Sequence, residues 1–270
     1  MRPFLAIAVL VFGVLASASS EADTVLVTGS DRGIGLELVK QYAEMGWTVI
    51  ATARKPAKAK ELKELAAKNS KVAVEKLDVV KEGDIKALAG KYRGKPIDLL
   101  INNAGILGDG RTQTLGGFNL ATFETVMNVN LYGPLAVSQA FLENVIASKQ
   151  KKIVTITSGI ISATGRPPAY LDSNGYFNLT YYRASKIALD FAMKGISEDI
   201  KSKGVLIASV FPGAVDTDMS KSILSEAERS KFVTPAVSAS NVIKVIDGLT
   251  ADTNGKVLSL TGKVMPVTLD

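Results

Sequence analysis

The placement of apolar residues constrains this chain most. From Thr24 onward, short runs rich in β-branched residues alternate with longer amphipathic stretches. Candidate strands lie at 24–28, 48–52, 71–77, 97–102, 152–157, 205–211 and near 257–260. In several of them, such as VLV, DLLI and IVTI, successive residues are apolar. A half-wet strand alternates polar with apolar, whereas a strand covered on both faces does not. Helical stretches at 34–45, 57–68, 82–92, 120–148, 181–203 and 236–249 separate the strands. Parallel strands need long crossovers, and helices supply them. The pattern predicts an α/β fold: a doubly wound parallel sheet of about seven strands with helices on both faces. No linker, repeat or low-complexity tract interrupts residues 24–270, so one domain is expected.

Two segments depart from the alternation. Residues 159–180 are rich in Gly, Pro and aromatics, and residues 213–233 are polar with scattered apolar positions. Connections this long inside a compact domain usually carry function. Both follow strands at their C-terminal ends, where open α/β sheets bind ligands.

The chain has no cysteine and no histidine. Disulfides, thiol nucleophiles, thiolate or imidazole metal ligands and Ser-His-Asp triads are therefore excluded. Any chemistry must use oxygen acids, lysine or a borrowed cofactor. Net charge is +6, and the densest lysines, within 55–71, are interleaved with Ala and Leu rather than aromatics. That is a solvated helix face, and no nucleic-acid partner is expected.

The N-terminus stands apart. Arg2 precedes an uncharged run over residues 3–20 that ends near Ala16-Ser17-Ala18. A positive start, an apolar stretch and small residues at a cleavage site look like a secretory signal peptide. An uncleaved membrane anchor is the alternative, since the run is marginal for a bilayer span. Residues 1–20 are set aside from the fold on either view. The first view sends the domain to the secretory pathway or another extracytoplasmic place. The second leaves a cytoplasmic catalytic domain associated with a membrane through its N-terminus.

Directly after the first strand comes TGSDRGIG, with Gly29, Gly33 and Gly35, and then an amphipathic helix. One glycine permits a tight turn, another lets backbone approach a pyrophosphate, and a third lets helix and strand pack closely. The helix N-terminus then faces the phosphates with its partial positive charge. At the end of the second strand, where NAD-binding folds place an acid for the ribose 2′-OH, the sequence reads ATARKP. Arg54 and Lys55 stand there instead, and Arg32 lies within the glycine turn. A guanidinium can grip a 2′-phosphate that an acid would repel. The expected cofactor is NADP(H).

YYRASK carries the next signal. Tyr182 and Lys186 are four residues apart on one helix face, whereas Tyr181 would pair with Ser185. A phenol titrates near 10, and a nearby ammonium together with a positive nicotinamide ring would favour the phenolate. Ser158 ends the strand IVTITS, NNAG (Asn102, Asn103, Ala104, Gly105) ends another, and Asn130 lies in VNLYG. A Pro212-Gly213 turn leads to Thr217.

Taken together, the T-G-x-x-x-G-x-G spacing, NNAG, Asn130, Ser158, Tyr182 and Lys186 resemble the short-chain dehydrogenase/reductases over residues 24 to about 266. IATARKP and PGAVDTDM look most like the C-factor-like carbonyl reductases within that family. The resemblance implies a Rossmann-type fold and interconversion of a carbonyl compound with its alcohol. It makes Tyr182 the general acid or base, with Lys186 lowering its pKa and binding the nicotinamide ribose. Ser158 would hold the substrate oxygen, and Asn130 a water in the proton path. Around the cofactor it places Gly29, Ser30, Arg32, Gly33, Ile34 and Gly35 of the turn, then Arg54, and Asp78 near adenine. Asn103, Ala104 and Gly105 would support the cofactor, as would Pro212 and Gly213, with Thr217 at the carboxamide.

The interval between Ser158 and Tyr182 is longer than in many relatives, and it carries Pro167, Pro168, Tyr170, Tyr176 and Phe177. It is expected to wall an apolar substrate together with Met219, Ile223 and Leu224; a surface excursion without that role is the alternative. Asn178-Leu179-Thr180 is a glycosylation sequon close to Tyr182, which sits uneasily with a lumenal active site. Relatives often pair through the helices at 120–148 and 181–203, so a homodimer or homotetramer is expected. A non-catalytic NADP(H) sensor with the same fold is the second functional class; a nucleotide-sugar epimerase is a third, disfavoured by the Asn-Ser-Tyr-Lys order.

Overall fold

The computed structural model describes residues 22–159 and 179–266. The signal-like stretch, the apolar interval after Ser158 and the sequon asparagine lie outside the described residues. Strands β1 (Thr24–Val27), β2 (Thr48–Ala53), β3 (Val72–Lys76), β4 (Leu99–Asn102), β5 (Lys152–Ile156), β6 (Leu206–Val210), β7 (Lys256–Leu258) and β8 (Val264–Met265) form one sheet. Its order is β3-β2-β1-β4-β5-β6-β7-β8. All neighbours are parallel except β7 and β8.

The two-sided strands are covered as their sequences require. In β1, Val25 and Val27 face one core while Leu26 faces the other; Leu99, Ile101 and Leu100 of β4 divide the same way. The first core is closed by α1 (Gly33–Glu44), α2 (Lys60–Lys68) and α9 (Pro235–Asp247). The second is closed by α3 (Glu82–Lys91), α5 (Gly133–Ile146) and α6 (Thr180–Asp199).

Three departures from the expected elements have local causes. The helix expected at 120–148 is α4 (Leu120–Met127), a π-helical turn (Asn128–Tyr132) and then α5. Pro134 has no N–H to offer the carbonyl of Asn130, so the ordinary ladder fails at that point. The polar segment at 213–233 contains α7 (Asp218–Lys221) and α8 (Glu226–Arg229), each started by a reciprocal capping box. The eighth strand is two residues long, too short for any periodicity to reveal.

At the N-terminal ends of the strands, the buried Asp98 carboxylate accepts from the backbone N–H groups of Thr24, Lys149 and Gln150 at 2.9, 3.1 and 3.3 Å. It clasps β1 to the turn before β5. At the opposite end of the sheet, chain order reverses between β1 and β4, which opens a crevice at their C-terminal ends.

Candidate active site

The turn after β1 shows why glycine is required there. Gly29 and Gly33 have φ of +66° and +57°. A Cβ on Gly29 would lie 2.9 Å from the Cα of Ala104, and one on Gly35 would lie 2.3 Å from the Gly29 carbonyl oxygen. The two strand ends thus touch through backbone. Asn103 donates from Nδ2 to the carbonyls of Thr28 and Gly29 at 2.9 and 3.0 Å, and Thr28 Oγ1 accepts from the N–H groups of Asn103 and Ala104 at 3.0 Å each. NNAG and the glycine turn are one rigid unit.

Helix α1 begins in that unit without a side-chain cap and without an acid in its first turn. Its leading N–H groups, at Gly33, Ile34 and Gly35, have no intrahelical partner and so suit an anion. Ser30 is turned away from this role. It is fully buried, its hydroxyl donates to the Val27 carbonyl at 2.8 Å, and it shapes the turn from inside. Arg32 is exposed, 3.9 Å from Asp218, and Arg54 and Lys55 are exposed just beyond β2. Asp78, half-buried after β3, accepts from the Val80 N–H at 3.3 Å.

Tyr182 and Lys186 both lie on the buried side of α6. Lys186 donates from Nζ to the Ile156 carbonyl at 2.8 Å. Burial brings its pKa down to about 8, against the opposing pull of Asp190 one turn further on. The Tyr182 phenol hydrogen-bonds the Ser158 hydroxyl, which lowers its pKa, but burial pushes the other way and prevails. The ammonium is turned to the Ile156 carbonyl rather than to the phenol. A Cβ on Gly105 would lie 3.6 Å from Lys186 Nζ, so NNAG borders the lysine.

Asn130 sits on the π-helical turn, fully buried. Its Oδ1 accepts from the Ile106 N–H at 2.9 Å, and its Nδ2 donates to the Ile106 carbonyl at 2.8 Å and to Ser185 Oγ at 3.1 Å. The side chain therefore secures the loop after NNAG. Pro134, four residues on, has no N–H to offer its backbone carbonyl.

Ser158 and Tyr182 open onto a cavity of about 240 Å³. Ile34 of the glycine turn, Pro212, Gly213 and Thr217 line the same space. Thr217 caps α7 and stands across from Gly33, whose Cβ would lie 3.7 Å from its methyl group. The remaining wall is mostly apolar and includes Leu107, Phe211, Met219, Ile223, Phe232 and Met265. Leu224, expected on this wall, is buried in the cluster that also holds Leu107 and Tyr182. Leu107, Phe211, Phe232 and Met265 were not legible as lining residues, since each enters from a different loop or strand end. The segment around Pro167 and Tyr176 lies outside the described residues.

Comparison with known proteins places this geometry. The family described as short chain dehydrogenase matches residues 23–228. An uncharacterised oxidoreductase of Schizosaccharomyces pombe is 33% identical over 258 residues, covering 89% of this chain and 96% of that protein. A short chain dehydrogenase of Penicillium aethiopicum is 33% identical over 254 residues, covering 88% and 97%. The crystal structure of an NADPH-bound carbonyl reductase from chicken fatty liver superposes with a TM-score of 0.80 at 32% identity, covering 91% of this chain and 99% of that one.

Proposed function

Since the chain belongs to the short chain dehydrogenase family, we propose that it is an NADP(H)-dependent reductase interconverting an apolar carbonyl compound and its alcohol. One observation carries the proposal: the hydrogen-bonded hydroxyls of Ser158 and Tyr182 face a mostly apolar cavity that Ile34 of the glycine turn also lines. Similarity to an NADPH-bound carbonyl reductase supports the choice of cofactor.

The residues fit a dinucleotide. Uncapped N–H groups at the start of α1 take the diphosphate, and the close-packed glycines leave room for it. Arg54, with Lys55 and Arg32 nearby, takes the 2′-phosphate; no acid stands among them at the end of β2. When bound, the cofactor supplies or accepts the hydride. Ser158 orients the carbonyl oxygen, and Tyr182 gives that oxygen its proton. Lys186, whose pKa near 8 leaves it largely charged at neutral pH, holds the ribose. The Asn130 backbone carbonyl holds the water that returns a proton to the phenol.

Exposed apolar residues on α4 and α6 (Leu120, Phe123, Ile187 and Phe191) support a second copy of the chain as the covering partner. We assign residues 1–20 to a leader or anchor on the pattern of their sequence alone. The test of function is consumption of NADPH by the purified protein with a panel of apolar aldehydes and ketones, run beside NADH. Turnover with NADPH is expected. No turnover with any member, or a clear preference for NADH, overturns the proposal.

A further inference from the structure

The catalytic helix lacks a cap of its own. Its N-cap residue, Leu179, offers no side-chain hydrogen bond. The N–H groups of the first helical turn have no partner four residues back, so something else must meet them. For Tyr182 that partner comes from 69 positions earlier: Gln113 Oε1 accepts the Tyr182 N–H at 2.9 Å. The Gln113 backbone carbonyl also accepts the Thr180 N–H, at 3.4 Å.

Gln113 is fully buried, and its amide is used at both ends. Nε2 donates to the Leu107 carbonyl at 2.9 Å, and Leu107 lines the cavity. The loop closes tightly around that amide. Gly108 has φ +79°, and a Cβ there would lie 2.7 Å from Gln113 Nε2. A second string runs to the same loop: the Tyr182 carbonyl accepts from Ser185 Oγ at 2.7 Å, Asn130 donates to Ser185 Oγ, and Asn130 also grips Ile106. Both peptide groups of Tyr182 are thereby tied to adjacent residues of one loop, its N–H to Leu107 and its C=O to Ile106.

We propose that Gln113 is a positioning residue for the proton donor: its carboxamide caps the catalytic helix at Tyr182 and fixes the phenol relative to the cavity wall at Leu107. Glutamine suits the place because one neutral side chain must both accept and donate without bringing a charge into the interior. The proposal rests on the functional assignment of Tyr182 above.

The test compares Gln113→Leu and Gln113→Glu with the parent enzyme, using NADPH and benzaldehyde, and follows exchange of the Tyr182 amide hydrogen by mass spectrometry or NMR. Leucine neither accepts nor donates. Its expected effect is a kcat about 10- to 100-fold lower with an NADPH KM changed less than about 2-fold, because a small misplacement of an acid acts on the chemical step. Exchange at Tyr182 should quicken by at least about 10-fold as its N–H loses a buried partner. Glutamate, protonated in this buried place, can still accept from Tyr182 and donate to Leu107, so it should restore Tyr182 protection and most of kcat. The proposal is overturned if Gln113→Leu keeps kcat within about 2-fold, or if Gln113→Glu rescues neither kcat nor protection. Should Gln113→Leu fail to fold, Gln113→Met, close in shape to glutamine and without its amide, takes its place and is judged by the same two measures. If the parent enzyme reduces no carbonyl, the functional assignment falls; Tyr182 exchange in parent and variants still decides whether Gln113 holds that peptide.

Discussion

If Tyr182 is the proton donor proposed above, its neighbours define what replacing it would do. Tyr182→Phe removes one oxygen from a buried position and leaves the helix, Lys186 and the glycine turn in place. Turnover should fall about 100- to 10,000-fold, the usual contribution of general acid catalysis, with NADPH affinity nearly unchanged by fluorescence titration. Retained turnover would mean another group gives the proton. Lys186 makes a prediction about stability. Its folded pKa, about 8, lies below the ordinary 10.5, so between those values the unfolded chain binds more protons than the folded one. Stability of the cofactor-free protein therefore gains from Lys186 as pH rises through that window, the reverse of a salt-bridged lysine. Melting temperatures at pH 8 and pH 10 should show this gain, and Lys186→Met should lose it. The spacing of Tyr182 and Lys186 was legible because four residues make one helical turn. Their electrostatics were not, because burial and the Ile156 carbonyl belong to the folded chain.

At the scale of elements, the glycine turn is the most exacting joint. Gly35 has an ordinary helical place, yet its Cβ would meet the Gly29 oxygen at 2.3 Å and Asn103 Nδ2 at 2.5 Å. Gly35→Ala should force β1 and α1 apart and lower stability by about 1–3 kcal/mol, the common cost of overpacking. A matching loss of NADPH binding is expected; calorimetry and titration on the same sample check both, and a variant as stable and as tight as the parent would contradict the close approach. The strands were legible because sheets covered on both faces leave unbroken apolar runs such as Leu99–Leu100–Ile101. The π-helical turn was half legible: Pro134 marks a defect inside an otherwise helical pattern, but not that the defect carries Asn130 to Ile106. The cap from Gln113 was not legible, since nothing local pairs position 113 with position 182.

For the whole molecule, the apolar surface is uneven. Phe191 and Leu120 are 74% and 69% exposed, on α6 and α4, and the rings of Phe118 and Phe123 pack on Tyr181 at the start of α6. If a second copy covers this face, Phe191→Asp should convert dimer to monomer in light scattering while leaving the cavity intact. A parent protein that is already monomeric would refute the pairing. Among the described residues no helix is long and apolar enough to cross a membrane. The placement of the cavity at the C-terminal ends of the strands followed from the alternation of strand and helix. The identity of its walls did not, because Leu107, Phe232 and Met265 converge from loops and from the edge strand β8.

The Asp98 clasp at the far end of the sheet concentrates the anchoring of three chain segments in one side chain. Its carboxylate, just ahead of β4, takes the N–H groups of Thr24, Lys149 and Gln150. An apolar residue there would leave all three without that acceptor at once.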